Sequence, residues 1–338
     1  MRSLGLLFVT AAASALLGAD AAAAIPVPAL NLPELTTNAS LVAAGQVTAV
    51  REDGRTSIEA RGQTVAARRM VATLRLFRVL KGPSDAPTVS FVFYIPDVSL
   101  GYVGVAAPQF GLFFLRAGPQ QSYAVLDPYY PFIIAAPDAP AGEGDVLGRV
   151  IAEVAYVMNS PRASQGERVR AVGILEGVGS EAATAALRRA LPVLDGPLRL
   201  RAAAALLKQG DISALNLAEE ALLSPQPEAA GLSGELAYAI RDGVTDERAV
   251  PTLGRLLGAS GVVVRRSAAA ALRHIGTDAV IEPLSKALQD EDREVRYQAV
   301  LGLAIVTGRS EWAPSIDLYD KDEQRYLAYW REWAKTRL

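Results

Sequence analysis

The chain has one histidine, His274, and no cysteine among 338 residues. A Ser-His-Asp triad would need that imidazole. So would a zinc site, which wants several nitrogen or sulfur ligands. With thiolates absent and a single imidazole, no metal or other cofactor is expected. Carboxylates remain, and two of them ~5–9.5 Å apart suffice for glycoside hydrolysis. Asp97, Asp127 and Asp138 lie in turn-rich sequence where loops could carry such a site. Gly142–Gly148, GEGDVLG, has the glycines of a dinucleotide loop but follows a Pro/Ala stretch with the wrong spacing, and reads as a hinge. Gln289–Glu294, QDEDRE, lacks the Gly-containing alternation of a calcium loop. It reads as a turn in which Asp290 or Asp292 caps the next helix.

The elements that would position these groups fall into two kinds. Short apolar, β-branched runs at 41–50, 69–82, 88–95, 110–116, 123–127 and 132–136, punctuated by Gly, Pro and Asp, predict strands of a small barrel or sandwich. Before them, Ile25–Thr37 is Pro-rich and expected to be extended. The extreme N-terminus has Arg2, an apolar Leu4–Leu17 and small residues over Ala19–Ala24, the pattern of a cleaved signal peptide. That run is shorter than the ~20 residues a spanning helix needs, so no stable membrane insertion is expected after cleavage, and a secreted or periplasmic location is. A net charge of −2 without a basic cluster argues against nucleic-acid binding.

From Asp145 onward the apolar spacing turns helical and then repeats. Gly179, Gly210, Gly243 and Gly276 close successive helices, with Thr307 in the fifth slot. Leu175, Leu206, Leu272 and Leu303 share one position; Arg168, Arg199, Arg265 and Arg296 share another. A second helix type alternates with this one and carries Leu191, Leu222, Leu257 and Leu288 in register. The copy around 230–240 is degenerate, with Leu232 where Arg would stand. A helix pair of this size cannot bury its apolar stripe alone, so copies must stack. The Arg ladder could bind an anion or pair with turn acids such as Asp195, Asp290 and Asp292. All three Trp lie near the end of the chain. Trp312, Tyr326, Trp330 and Trp333 could seal the last repeat or offer an aromatic partner surface.

Helix pairs with VR…A…L…G in the second helix resemble short HEAT-like repeats of the kind also seen in phycobilisome lyases. That resemblance implies a binding scaffold; no catalytic residue of the lyase branch has a match here. Gly45-Gln46-Val47, Val79–Gly82 (VLKG) and Leu112–Leu115 (LFFL) are similar to an OB-type, netrin-like module of bacterial secreted proteins. Inhibitors of that kind bind metal through an N-terminal Cys-x-Cys, which this chain lacks.

The expected architecture is multidomain α+β, an N-terminal small all-β barrel (OB-like) followed by a C-terminal all-α HEAT-like solenoid. The boundaries are signal peptide 1–24, lead-in 25–38, β domain 39–137, linker 138–145, repeats 146–308 and capping helix 309–338. The expected function is non-catalytic binding of a protein or peptide on the concave face. The alternatives are a carboxylate-dependent carbohydrate-active enzyme with its site in the β-domain loops, and an envelope spacer.

Overall fold

A computed structural model describes residues 28–338 apart from 84–85, 119–121, 225–230 and 338. The expected signal peptide lies outside the described residues. Part of the lead-in, residues 32–38, is helical where an extended chain was expected. Helix α1 (Leu32–Asn38) starts at Asn31, whose side chain accepts from Glu34 N, and Pro33 sits in its first turn. Pro favours that position because its missing N–H would be unpaired anyway. Leu32 and Leu35 are buried, and that burial gives the short helix its support.

The strands are β1 (Leu41–Ala60), β2 (Gln63–Lys81), β3 (Thr88–Pro96), β4 (Gln109–Ala117), β5 (Tyr123–Val125) and β6 (Phe132–Ile133). β1 pairs antiparallel with β2 and with β4; β2 pairs with β3; β3 pairs parallel with β5; β5 pairs with β4. The pairing path therefore returns to β1. Strand alternation sends Leu41, Ala43, Val47, Phe113 and Leu115 to one apolar cluster with Phe91 and Leu74. Val42, Ala44, Leu112 and Phe114 point the other way, into a second cluster shared with the helices. Both faces are buried, which is why these strands read as unbroken apolar runs.

β1 and β2 are much longer than their apolar runs. Their outer arms, Arg55–Ala60 and Gln63–Arg68, form a ribbon rich in exposed polar residues. It is held by its own ladder and by a turn with positive φ at Arg61 and Gly62, the geometry of a tight hairpin. Apolar alternation cannot report a ribbon that buries almost nothing.

The helical part contains α2 (Val146–Asn159), α3 (Gln165–Val178), α4 (Glu181–Ala190), α5 (Gly196–Lys208), α6 (Leu215–Leu223), α7 (Ser233–Gly243), α8 (Val250–Leu256), α9 (Val262–Ile275), α10 (Ile281–Ala287), α11 (Arg293–Thr307), α12 (Ile316–Lys321) and α13 (Glu323–Lys335). The ladder leucines Leu175, Leu206, Leu272 and Leu303 are all fully buried. Gly179 and Gly276 end their helices in the left-handed conformation, as expected of C-cap glycines. Gly243 does not. It stays within α7, and an added Cβ would stand 1.9 Å from Leu207 O, so this glycine is needed for close approach of two helices.

The segment 138–145, expected to be a linker and hinge, is mostly exposed and held at two points. Ala139 is buried, and Asp145 caps α2 by accepting from Gly148 N at 2.7 Å. Arg78 of β2 pins the sheet to α2. Its Nε and Nη2 donate to the two carboxylate oxygens of Glu153 at 2.6 and 2.7 Å. Its other hydrogens go to Ala136 O and Pro137 O at 2.7 and 2.9 Å. Glu153 is 2% exposed. Lys81 similarly donates to Thr36 O and Thr37 O at the end of α1.

Leaving Glu153 buried without its partner is expected to be severe: Arg78→Met should cost about 3–5 kcal/mol in denaturant unfolding, and Arg78→Met with Glu153→Leu should recover most of it. A single variant that melts like the parent protein would show the pair to be dispensable.

Candidate functional site

Helices α5, α7, α9 and α11 pack flank to flank, whereas α8 and α10 barely touch. We call this closely spaced layer the inner one, and its exposed flank is the candidate binding face. At its centre Tyr238 is 47% exposed, with the Arg241 guanidinium 4.8 Å from its ring centroid. Ile305, 57% exposed, lies on α11. Charged groups pair across helices: Lys208 with Glu176 at 2.6 Å, Arg201 with Glu235 at 2.9 Å, and Arg266 with Asp292 at 2.7 Å. His274 is exposed on the same layer, its Nε2 3.1 Å from Arg273 Nη2. No carboxylate pairs with its ring among the described residues, so a triad geometry is absent there. Tyr238 and Arg241 were not singled out by sequence reasoning. They sit in the degenerate repeat, and departure from the repeat pattern was the available signal.

The Arg ladder is structural at three of its four positions. Arg168 Nε donates to Met158 O at 3.0 Å, closing the end of α2. Arg265, 7% exposed, donates to Ala259 O and Ser260 O and grips Asp290 at 2.9 and 3.2 Å and Glu291 at 2.9 Å. Arg296 repeats the pattern one layer on, with Asp290 O and Glu291 O at 2.8 Å and Glu323 at 2.6 Å. Arg199 is exposed and makes no ion pair among the described residues; nothing in the structure explains why this copy differs. Asp292 caps α11 through Val295 N. The Arg266 guanidinium holds its carboxyl down at about 2, against the opposing effect of burial.

The aromatic C-terminal group divides. Trp330 is fully buried and Tyr326 nearly so, against the last repeat. They cover the end of the stack and leave little surface open to a partner, so of the two roles open to the group these two side chains take the sealing one. Trp312 stacks on Tyr329 with centroids 3.6 Å apart, and Trp333 lies 5.6 Å from the Arg337 guanidinium; both are half-buried. Tyr319 of α12 donates to Glu323 at 2.9 Å, and burial pushes its hydroxyl pKa up.

The three candidate carboxylates are not brought together. Asp97 pairs with Arg55 of the ribbon at 3.2 Å, Asp127 accepts from Tyr129 N within a turn, and Asp138 pairs with Arg162 at 2.5 Å. Asp127 and Asp138 line separate hollows. Among the described residues no group of His, Asp and Glu is arranged to hold a metal, and no helix is long and apolar enough to cross a membrane.

Removing the buried guanidinium by Arg265→Ala should destabilise by about 3–5 kcal/mol, because Asp290 loses its partner, while Arg199→Ala should stay within about 0.5 kcal/mol. Equal effects in urea unfolding would refute this division of the ladder. The depressed Asp292 carboxyl contributes stability above its unfolded value of about 3.9 that is lost as pH falls toward 2. Asp292→Asn should therefore flatten the fall in melting temperature between pH 5 and pH 2, and an unchanged slope would remove Asp292 from the account.

A family model for HEAT repeats matches residues 233–304. No curated protein matches the chain. Among solved structures it is similar to a designed armadillo repeat protein in complex with the peptide (KR)4, at 19% identity and a TM-score of 0.35, covering 54% of this chain and 97% of that one. It is also similar to human deoxyhypusine hydroxylase in complex with glycerol, at 16% identity and a TM-score of 0.22, covering 56% and 96%. At these TM-scores neither likeness carries an argument about activity or ligands. The chain contains HEAT-like repeats arranged as a helical solenoid beside an N-terminal sheet.

Proposed function

We propose that the chain is a non-catalytic scaffold that binds a protein or peptide on the inner layer of α5, α7, α9 and α11. The observation that carries this reading is Tyr238, an exposed aromatic with an arginine over its ring, on the inner layer of a repeat stack. Tyr and Arg are enriched at binding hot spots, Tyr because it buries a large rigid surface at small entropic cost. The alternating acids and bases around it supply register and partner choice more than affinity. The return of the pairing path to β1, with β3 and β5 parallel, supports reading the sheet as an OB-like barrel. The apolar run before Ala19 supports export.

Expressed at full length in an export-competent bacterium, the protein should be recovered outside the cytoplasm with a new N-terminus between Ala19 and Ala24, and should retain a partner from the exported fraction. Tyr238→Glu combined with Ile305→Glu should fold, by circular dichroism, and lose that partner. Retention of the same partner by the double variant would sink the inner-face reading, and an intact Met1 in the recovered protein would sink export.

A further inference from the structure

The end of the chain carries rings and cations in an order that sealing the stack does not need. Tyr326, Leu327, Trp330 and Ala334 of α13 are the buried ones, against the last repeat. Beside them Arg325, Tyr329, Trp333 and Arg337 recur at every fourth position, the spacing that lines side chains up along a helix. Arg337 stands just past the helix end, its N–H on Ala334 O at 3.1 Å. Arg325 and Arg337 are exposed, and Tyr329 and Trp333 are half-buried. Trp312 lies flat on Tyr329, with 3.6 Å between centroids and 3° between planes. Each ring of that pair adjoins a guanidinium. Arg309 is 5.9 Å from the Tyr329 centroid and donates to its hydroxyl, and Arg325 is 5.6 Å from the Trp312 centroid. Arg337 is 5.6 Å from the Trp333 centroid.

A ring attracts a guanidinium through its negative face and leaves the N–H fork unspent. Arg309, Arg325 and Arg337 make no ion pair among the described residues. The nearby acids are engaged elsewhere: Glu323 with Arg296, Glu332 with Lys335, and Asp322 on Arg325 N. Open forks favour carboxylates or phosphates. A continuous polyanion is opposed by the exposed Glu311 and Glu332 on the flanking turns. Half-buried rings stacked on one another cannot sink about 5–10 Å into a bilayer boundary as an interfacial helix does. Separate carboxylates on a peptide, with an apolar group between them, meet all three conditions.

We propose that this face of the C-terminal cap is a docking site, separate from the inner layer, for an extended peptide with two acidic side chains bracketing an apolar one. One carboxylate takes the Arg325 fork, the other takes Arg337, and the apolar residue lies against Tyr329 and Trp333. Arg325 and Arg337 stand about three helical turns apart, ~18 Å at 1.5 Å per residue. An extended strand covers that distance in about five or six residues, which sets the spacing of the two acids.

All three tryptophans belong to this region, so the emission of the full chain reports on it directly. The test selects Trp-free peptides from a random library on the immobilised full chain and titrates the winners in solution. They should carry Asp or Glu at two positions about five or six residues apart and shift the tryptophan emission on binding. They should bind Tyr238→Glu as tightly as the parent protein, and bind the double variant Arg325→Gln, Arg337→Gln at least about tenfold more weakly. Both arginines are exposed, so the double variant should keep the parent's melting temperature. Any of four results would overturn the proposal: no peptide that depends on the two arginines; dependent peptides without paired acids; dependent peptides that leave the emission unchanged; or phosphatidylserine vesicles that sediment the parent and spare the double variant, which would give the face to lipid.

Discussion

A stack of helix pairs presents a raw apolar face at each end, and covering both faces is the constraint that organises this molecule. At the C-terminal end Trp330 and Tyr326 of α13 close the last repeat. At the other end the cover is a sheet. Val42, Ala44, Leu112 and Phe114 on its outward side join α1 and the Val150, Ile151 and Val154 stripe of α2 in one continuous apolar cluster. That cluster runs through the repeats to α13, so the sheet and the solenoid share a core. Arg78 and Glu153 then fix the angle between them, because a bidentate pair tolerates little rotation.

The repeat was legible in the sequence because burial imposes periodicity, and periodicity survives without any coordinates. Leu272 and Leu303 recur because they fill equivalent holes. The same logic explains what was not legible. The ribbon beyond Arg51 buries almost nothing, so no apolar pattern marks it. Helix α1 is one short turn-pair whose support comes from β4 and α2, both distant in sequence. Residues 138–145 have a linker's composition, yet β2 reaches across to take the carbonyls beside them. Gly243 shares a slot with Gly179 and Gly276 but serves close packing instead of a left-handed turn, a distinction that spacing cannot draw.

The candidate binding features followed a different rule. Repeat register identifies structural residues and passes over candidate binding ones, since a slot filled alike in every copy reports the scaffold. Tyr238 stands in the copy that departs most from the pattern. Ser285 and Arg331 belong to helices of different kinds and line one hollow only because α13 folds back onto α10. Their relation is purely tertiary.

The Arg ladder has a mechanical consequence. Asp290 takes Arg265 on its side chain and Arg296 on its carbonyl, and Arg296 continues to Glu323. The last three tiles are thus riveted in series from α9 to α13. Between α5 and α7 no such rivet is found among the described residues: Arg199 is exposed, Leu232 holds the next slot, and the Arg201–Glu235 pair is open to solvent. Load along the stack is thus carried by charge pairs in the last tiles and by close backbone packing where α7 lies on α5, at Gly243 against Leu207.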